Sequence, residues 1–209
     1  MYNRILVPMF YGAAGDGLDH IVRQFGEPSL VCPTEVEGIS VNRQTLLVAP
    51  ELPKRTDVDV LLPMGATALK LTSNHCLLIP FGSGRSGVRA AQIGIPLAER
   101  MGLTVVFYHT AWRRSDVDSQ NGWDHITPEA RQISKELNRM AVGAGLTNRS
   151  RFVVETADTV IDGMIRAALL HKAALIVMAR GDEVRKGSYV DQLAVVSPVP
   201  LLIAHQENA

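Results

Sequence analysis

Three glycines, Gly82, Gly84 and Gly87, form a G-x-G-x-x-G pattern between a short apolar run and an amphipathic segment. Glycines in such a turn let backbone N–H groups approach a phosphate, and the N-terminus of the following helix favours its negative charge. Ser83 and Ser86 lie in the same turn, where a hydroxyl either contacts a phosphate or caps the helix. The structural alternative is that the glycines only permit a tight strand-to-helix turn. Both interpretations stay open at this point.

A dinucleotide-binding site needs more than this turn. The next strand should end near an acidic residue that holds the ribose hydroxyls, about 20 residues beyond the turn. Here the next apolar run ends in Tyr108-His109-Thr110, and the first acid after it is Asp116. Arg113 and Arg114 are candidates for holding a 2′-phosphate instead. An NAD(P)-binding Rossmann-type enzyme is therefore kept as a weaker alternative.

Other catalytic patterns are missing from the sequence. Its six histidines show no metal-ligand spacing, and there is no G-x-S-x-G nucleophile elbow. His109 is the one histidine expected to matter, because it ends a strand where doubly wound sheets bind ligands. The acids of Asp57-Val58-Asp59 are interpreted as solvated surface residues. No metal site is predicted, and an enzymatic activity is not expected, although an enzyme acting on an adenylate-like substrate stays an alternative.

Strands and helices alternate from Cys76 to the end of the chain. Strands are predicted at 76–81, 103–108, 151–155, 175–178 and 200–204, with helices near 86–101, 127–143 and 158–171. Strands alternating with helices at this spacing predict a doubly wound, mostly parallel α/β sheet with helices on both faces. Residues 111–126 have no period and are predicted to form a surface loop, in which Trp112 and Trp123 are expected to pack against the core. An exposed docking surface or a lid over the sheet edge is the open alternative for these two side chains.

The first 75 residues have a different organisation. They contain four short apolar runs, each followed by a proline, at 5–7, 29–31, 46–48 and 60–62. The stretch "RILVPM" resembles "CLLIPF", and each is followed by a glycine-rich turn. Residues 1–75 are therefore interpreted as an N-terminal α/β segment that is a degenerate, truncated copy of the unit at 76–209. Chance similarity between two short strands is the open alternative.

Composition excludes several classes of protein. The 209 residues carry 21 basic and 21 acidic side chains, so the charge balance does not favour nucleic acid or an anionic membrane as a partner. No apolar run approaches the roughly 20 residues of a membrane span. The two cysteines, Cys32 and Cys76, lie outside any C-x-x-C pattern, and no signal peptide is recognised. These features predict a cytoplasmic protein without a disulfide.

Residues 76–209 resemble the universal stress protein family. The stretch "LLIPFGSG" is similar to the family's opening strand, of type I-L-V-P followed by Asp-Gly-Ser. The stretch "GSYVDQLAVVSPVPLLIA" is similar to its ending, with a Gly-Ser pair and a proline before the last strand. The resemblance implies an adenine nucleotide alpha hydrolase-like fold and a regulatory role in the stress response. It also implies that the bound ligand is ATP, another adenine nucleotide or a smaller anion, without turnover.

The family's ATP-binding residues are only partly present. In ATP-binding members an Asp after the first strand contacts the adenosine, and a G-x2-G-x9-G-S/T loop surrounds the phosphates. Here the Asp position is Gly82, and the loop "MARGDEVRKGS" is several residues too short. Weak binding of ATP is therefore expected. The candidate ligand-binding residues are Pro80, Gly82, Ser83, Gly84, Ser86, His109, Gly181, Gly187 and Ser188, although Gly187-Ser188 equally suits a helix start.

The last strand raises the question of assembly. The stretch "VPLLIAHQ" is apolar and short, and an uncovered apolar edge favours pairing with another strand. Many members of the resembling family dimerise through this strand, so a homodimer is expected. The alternative is that strands of residues 1–75 cover the same edge within one chain. A protein that keeps the fold as an interaction module for an unidentified protein partner, without a ligand, is the alternative function.

Overall fold

The structure is a computed structural model and describes residues 4–8, 22–23, 28–31, 45–49, 59–64, 74–112, 121–180 and 188–205. Its strands are β1 (Arg4–Pro8), β2 (Pro28–Val31), β3 (Thr45–Val48), β4 (Asp59–Leu62), β5 (Cys76–Pro80), β6 (Thr104–Ala111), β7 (Ser150–Thr156), β8 (Ala173–Ala179) and β9 (Leu201–Ala204). Its helices are α1 (Ser86–Met101), α2 (Pro128–Gly143), α3 (Val160–Leu170) and α4 (Tyr189–Val196), with 3₁₀ turns at Gly122–His125 and Thr147–Arg149.

All nine strands lie in one sheet, in the order β2-β1-β3-β4-β9-β8-β5-β6-β7. Neighbouring strands pair in parallel, with the exception of the antiparallel pair β4 and β9. Strand β6 continues to Ala111, three residues beyond its predicted end, because its last residues stay in register with β7. The predicted mostly parallel α/β sheet is confirmed.

The helices cover both faces of the sheet, as predicted. Helices α1 and α2 pack on one face, where they meet Leu77, Ile79 and Phe107. Helices α3 and α4 pack on the other face, where they meet Leu78 and Ile176. Successive strand residues point to opposite faces, so each buried strand supplies both layers of the core. Among the described residues, no helix combines the length and the apolar character needed to cross a membrane.

The order of the strands reverses at β5. From β5 the chain moves outward to β6 and β7, and it then returns to β8 on the opposite side of β5. The helix after β5 therefore packs on one face of the sheet and the helix after β8 on the other. Such a reversal leaves a crevice at the carboxyl ends of the two strands, where open α/β sheets bind ligands.

All four apolar runs of the N-terminal segment are strands. Their order in the sheet, β2-β1-β3-β4, has the same form as β6-β5-β8-β9 in the second half, where β7 is the additional strand. Strands β1 and β5 are each five residues long and end in a proline. This correspondence agrees with the interpretation of residues 1–75 as a truncated first copy, which stays a prediction.

The two halves meet through β4 and β9. Leu61 pairs with Leu202 at the centre of a short antiparallel ladder, and the side chains of both strands are buried. The edge of β9 that was expected to pair with a second copy thus carries a strand of the same chain. A homodimer through the last strand stays a prediction, and it would require β4 to leave this edge.

Asp59, which was interpreted as a solvated surface residue, is buried at this junction. Only 5% of it is exposed, and its carboxylate accepts a hydrogen bond from the backbone N–H of His205. On the other side, Arg89 of α1 donates to the carbonyl oxygen of His205 at 3.1 Å. The interpretation was wrong because the antiparallel register brings the start of β4 against the end of β9. The carboxylate thereby satisfies a backbone donor that the short ladder leaves unpaired.

Replacing Asp59 tests this junction. We expect Asp59→Ala to lower the free energy of unfolding by about 1–3 kcal/mol, because it leaves the partly buried N–H of His205 without its acceptor. Asp59→Asn should cost less, since the amide oxygen can still accept. Urea denaturation measures the free energy of unfolding of both variants. The control is Asp158→Ala, which removes an exposed acid. An Asp59→Ala protein as stable as the control would contradict the assigned role.

Candidate functional site

A cavity of about 490 Å³ opens where β5, β6 and β8 end. Its volume lies within the range of about 300–1,000 Å³ that is usual for small-molecule sites. The cavity occupies the crevice created by the reversal of strand order at β5. Its described wall consists of Pro80, Phe81, Gly82, Ser83, Gly84, Ser86, Tyr108, His109, Thr110, Ala111, Trp112, His125, Thr127, Val160, Met164, Met178, Ala179 and Tyr189.

Most of the predicted site residues lie together in this wall. They are Pro80, Gly82, Ser83, Gly84, Ser86 and His109. Gly181 and Gly187 lie outside the residues that the structure describes. Ser188 is described and lies beside the wall residue Tyr189, but its hydroxyl accepts a hydrogen bond from the backbone N–H of Asp191 at 3.2 Å. Of its two open interpretations, the structure therefore shows the helix start.

The N-terminus of α1 is left open toward the cavity. Its N-cap residue, Arg85, makes no side-chain capping bond, and the first turn contains no acidic residue. Helices α2, α3 and α4 are each capped by a hydroxyl, from Thr127, Thr159 and Ser188, whereas α1 has no such bond. Ser83 and Ser86 therefore do not serve as caps. The first N–H groups of α1 remain available to an anion, which the helix dipole also favours.

The three glycines of the motif have different roles. A Cβ atom on Gly87 would lie 2.7 Å from the Cβ of Phe81, so this glycine lets α1 approach the end of β5. Cβ atoms on Gly82 and Gly84 would meet nothing within 4 Å. The packing interpretation therefore holds for Gly87, whereas the first two glycines border open space in the cavity wall.

His109 is fixed by a hydrogen bond across the end of the sheet. Its Nδ1 lies 2.8 Å from the carbonyl oxygen of Phe81, and the two rings are 5.2 Å apart between centroids. Burial lowers the pKa of His109 below its ordinary value of 6.5, and the bond to Phe81 partly offsets this. The imidazole is thus neutral at physiological pH.

Tyr108 faces the opposite side of the sheet from His109. Its hydroxyl is buried and has no hydrogen-bond partner of normal geometry among the described residues. A Cβ atom on Gly163 of α3 would lie 2.8 Å from this hydroxyl and equally close to that of Thr110. Burial raises the pKa of Tyr108, with Thr110 and Arg166 nearby as partly offsetting groups.

Two exposed aromatic side chains border the cavity. Trp112 at the end of β6 is 59% exposed, and Tyr189 at the start of α4 is 51% exposed. The expectation that Trp112 packs against the core was wrong, whereas Trp123 packs against Phe152 with ring centroids 6.4 Å apart. Exposed aromatic faces beside a cavity suit stacking with a planar ligand. Tyr189 was missed from the sequence, although its position directly after Ser188 at a helix start was the available signal.

The described wall contains no charged side chain. Asp, Glu, Lys and Arg are all absent from it, and Arg85 instead pairs with Glu136 of α2 at 2.7 Å. Within the described ranges, no three His, Cys, Asp or Glu side chains come together in a way that could hold a metal ion. The site can therefore contact a planar ring by stacking and an anion by backbone N–H groups and hydroxyls.

Comparison with known proteins identifies the fold. No protein-family model matches the chain, and no curated protein sequence matches it. A solved universal stress protein in complex with cAMP is 20% identical, with a TM-score of 0.54, over 65% of this chain and 100% of that one. A universal stress protein from Archaeoglobus fulgidus is 13% identical, with a TM-score of 0.52, over 62% of this chain and 92% of that one.

A third structure covers more of the chain. The universal stress protein from Archaeoglobus fulgidus DSM 4304 is 12% identical, with a TM-score of 0.58, over 87% of this chain and 72% of that one. Because residues 76–209 make up less than two-thirds of the sequence, this match extends into residues 1–75. The resemblance recognised in the sequence is confirmed at the level of fold: the chain has a universal stress protein-like fold.

Proposed function

We propose that this protein binds an adenine mononucleotide in the cavity at the ends of β5, β6 and β8, as a regulatory ligand and without turnover. One observation carries the proposal. The same cavity wall contains the uncapped N-terminus of α1, which suits a phosphate, and the exposed rings of Trp112 and Tyr189, which suit a planar base. A mononucleotide is a ligand that presents both groups.

The comparison with solved structures supports the class of ligand. A universal stress protein of the same fold was solved in complex with cAMP, which combines an adenine ring with one phosphate group. Likeness of fold alone does not carry a ligand from one protein to another. The ligand is assigned to this chain because its own wall residues offer donors for an anion and faces for a ring.

The charge of the wall favours a monophosphate over a triphosphate. Without a lysine or arginine in the described wall, a phosphate would be held by backbone N–H groups, by Ser83 and Ser86, and by the dipole of α1. A favourable helix terminus contributes about 0.3–1 kcal/mol, or about 2 kcal/mol when partly buried. The described wall therefore offers compensation for the charge of one phosphate group and none for the further charges of ATP, whose desolvation is costly.

A calorimetric titration tests the proposal. We expect AMP and cAMP to bind at least about tenfold more tightly than ATP, which corresponds to roughly 1.4 kcal/mol. Adenosine serves as the uncharged control and should bind more weakly than AMP. Binding of ATP as tight as that of AMP would contradict the expected order. Absence of binding by all four compounds would reject the nucleotide site and favour the interaction module.

A carboxylate at position 86 should raise the stability of the protein while it lowers the affinity for AMP. In Ser86→Asp the new charge stabilises the uncapped N-terminus of α1 by about 0.3–1 kcal/mol. The same charge repels a phosphate, so AMP should bind roughly tenfold or more weakly, while adenosine changes less.

The matched control for this variant is Gln92→Glu. It adds the same charge to an exposed position of α1 that is not part of the described wall. Thermal unfolding gives the stability and calorimetry gives the affinities. Unchanged AMP binding by Ser86→Asp, or an equal loss in Gln92→Glu, would contradict a phosphate position at this turn.

A further inference from the structure

We infer that His109 is the hydrogen-bond acceptor of the site and that its Nε2 accepts from a sugar hydroxyl of the bound nucleotide. This inference rests on the proposed nucleotide site and goes beyond it by assigning a residue to the sugar.

The hydrogen bond to Phe81 determines the role of each ring nitrogen. A backbone carbonyl oxygen only accepts hydrogen bonds, so at 2.8 Å the Nδ1 of His109 must carry the hydrogen and donate it. A neutral imidazole has a single N–H, and its second nitrogen then carries an unshared electron pair. Nε2 is therefore the ring nitrogen left to meet a ligand, and it meets that ligand as an acceptor.

The surroundings of His109 keep it neutral. On β7 its register partner is Val154, while Glu155 is the partner of Thr110 and thus lies on the other face with Tyr108. The remaining titratable side chains of the described wall are Tyr108, His125 and Tyr189. No carboxylate of that wall stabilises an imidazolium, so the acceptor form persists to a pH below 6.5.

The position of His109 points to the sugar. Tyr108 is in register with Pro80, so the next residues, His109 and Phe81, lie side by side at the end of the sheet. Phe81 directly precedes the turn from Gly82 to Ser86, where the phosphate is proposed to bind. In a mononucleotide the sugar is the group next to the phosphate, and its hydroxyls are the nearest donors. Gly82 lines the same cavity as His109 and borders open space there.

A pair of substitutions at His109 separates its two hydrogen bonds. In His109→Asn the amide nitrogen can take the place of Nδ1 and keep the bond to Phe81, but no acceptor remains at the position of Nε2. In His109→Gln the longer amide can place its oxygen near the position of Nε2, at the cost of the bond to Phe81. His109→Asn should bind AMP roughly tenfold or more weakly, and His109→Gln should retain more of the affinity.

The ligand provides the second arm of the test. 2′,3′-Dideoxy-AMP lacks both sugar hydroxyls, so it should bind the unmodified protein about as weakly as His109→Asn binds AMP. Because it has no hydroxyl to donate, dideoxy-AMP should bind the unmodified protein and His109→Asn with equal affinity. Dideoxy-AMP binding as tightly as AMP, or His109→Asn binding AMP as tightly as the unmodified protein, would overturn the inference while leaving the nucleotide site intact. Failure of AMP to bind the unmodified protein would instead reject the proposed function, and the inference with it.

The pH dependence gives an independent readout. Protonated His109 carries hydrogens on both nitrogens and cannot accept, so affinity is complete above the pKa and is lost as the pH falls through it. Below the pKa the neutral fraction falls about tenfold per pH unit. cAMP is the suitable probe, because the phosphate of AMP itself titrates near pH 6. We expect this loss in the unmodified protein and a flat profile in His109→Asn. Identical pH profiles of cAMP affinity in the two proteins would overturn the inference.

A spectroscopic measurement checks the tautomer directly. Long-range ¹H–¹⁵N spectra of the unmodified protein at pH 7.5 should show a protonated Nδ1 and an unprotonated Nε2 at His109. Melting temperatures of both variants close to that of the unmodified protein would show that the loss of affinity does not come from unfolding. A protonated Nε2 at this pH would overturn the inference, because that nitrogen would then be a donor.

Discussion

The reversal of strand order at β5 is the constraint on which the candidate site depends. Since the chain runs outward from β5 and returns to β8 on its other side, α1 and α4 pack on opposite faces of the sheet. The carboxyl ends of β5 and β8 are thus left without a helix between them, and the cavity lies there. Each wall residue is supplied by an element whose position follows from this topology. The turn after β5 contributes the open helix N-terminus, β6 contributes His109 and Trp112, and α4 contributes Tyr189.

The antiparallel pairing of β4 with β9 determines where the N-terminal segment lies relative to the cavity. Strands β1, β3 and β4 are parallel to one another, so their carboxyl ends lie at the opposite edge of the sheet from those of β5, β6 and β8. The segment therefore extends the core and covers the edge of β9, but its described residues do not contribute to the cavity wall. The two halves share a strand order, and the interpretation of residues 1–75 as a truncated repeat stays a prediction.

Local patterns in the sequence were sufficient for the strands, the parallel topology and the part of the wall formed by the turn after β5 and by His109. Features that depend on residues distant in sequence were not predictable in this way. Asp59 is buried by a partner 146 residues away, and no local pattern reveals that contact. The helical backbone conformation of Arg85 leaves α1 without a side-chain cap, so the role of Ser83 and Ser86 could not be read from residue type. The exposure of Trp112 was not predictable either, because the extension of β6 to Ala111, directly before it, is set by its register with β7.

The location of the bound nucleotide, measured by backbone amide chemical shifts during a titration with AMP, tests the proposed site most directly. We expect saturable shifts concentrated at Gly82, Gly84 and Ser86 and at the end of β6 around His109. Shifts concentrated instead in the groove between α2 and β7, which is lined by Lys135 and Phe152, would contradict the proposed site. Absence of any saturable shift at millimolar AMP would contradict it equally.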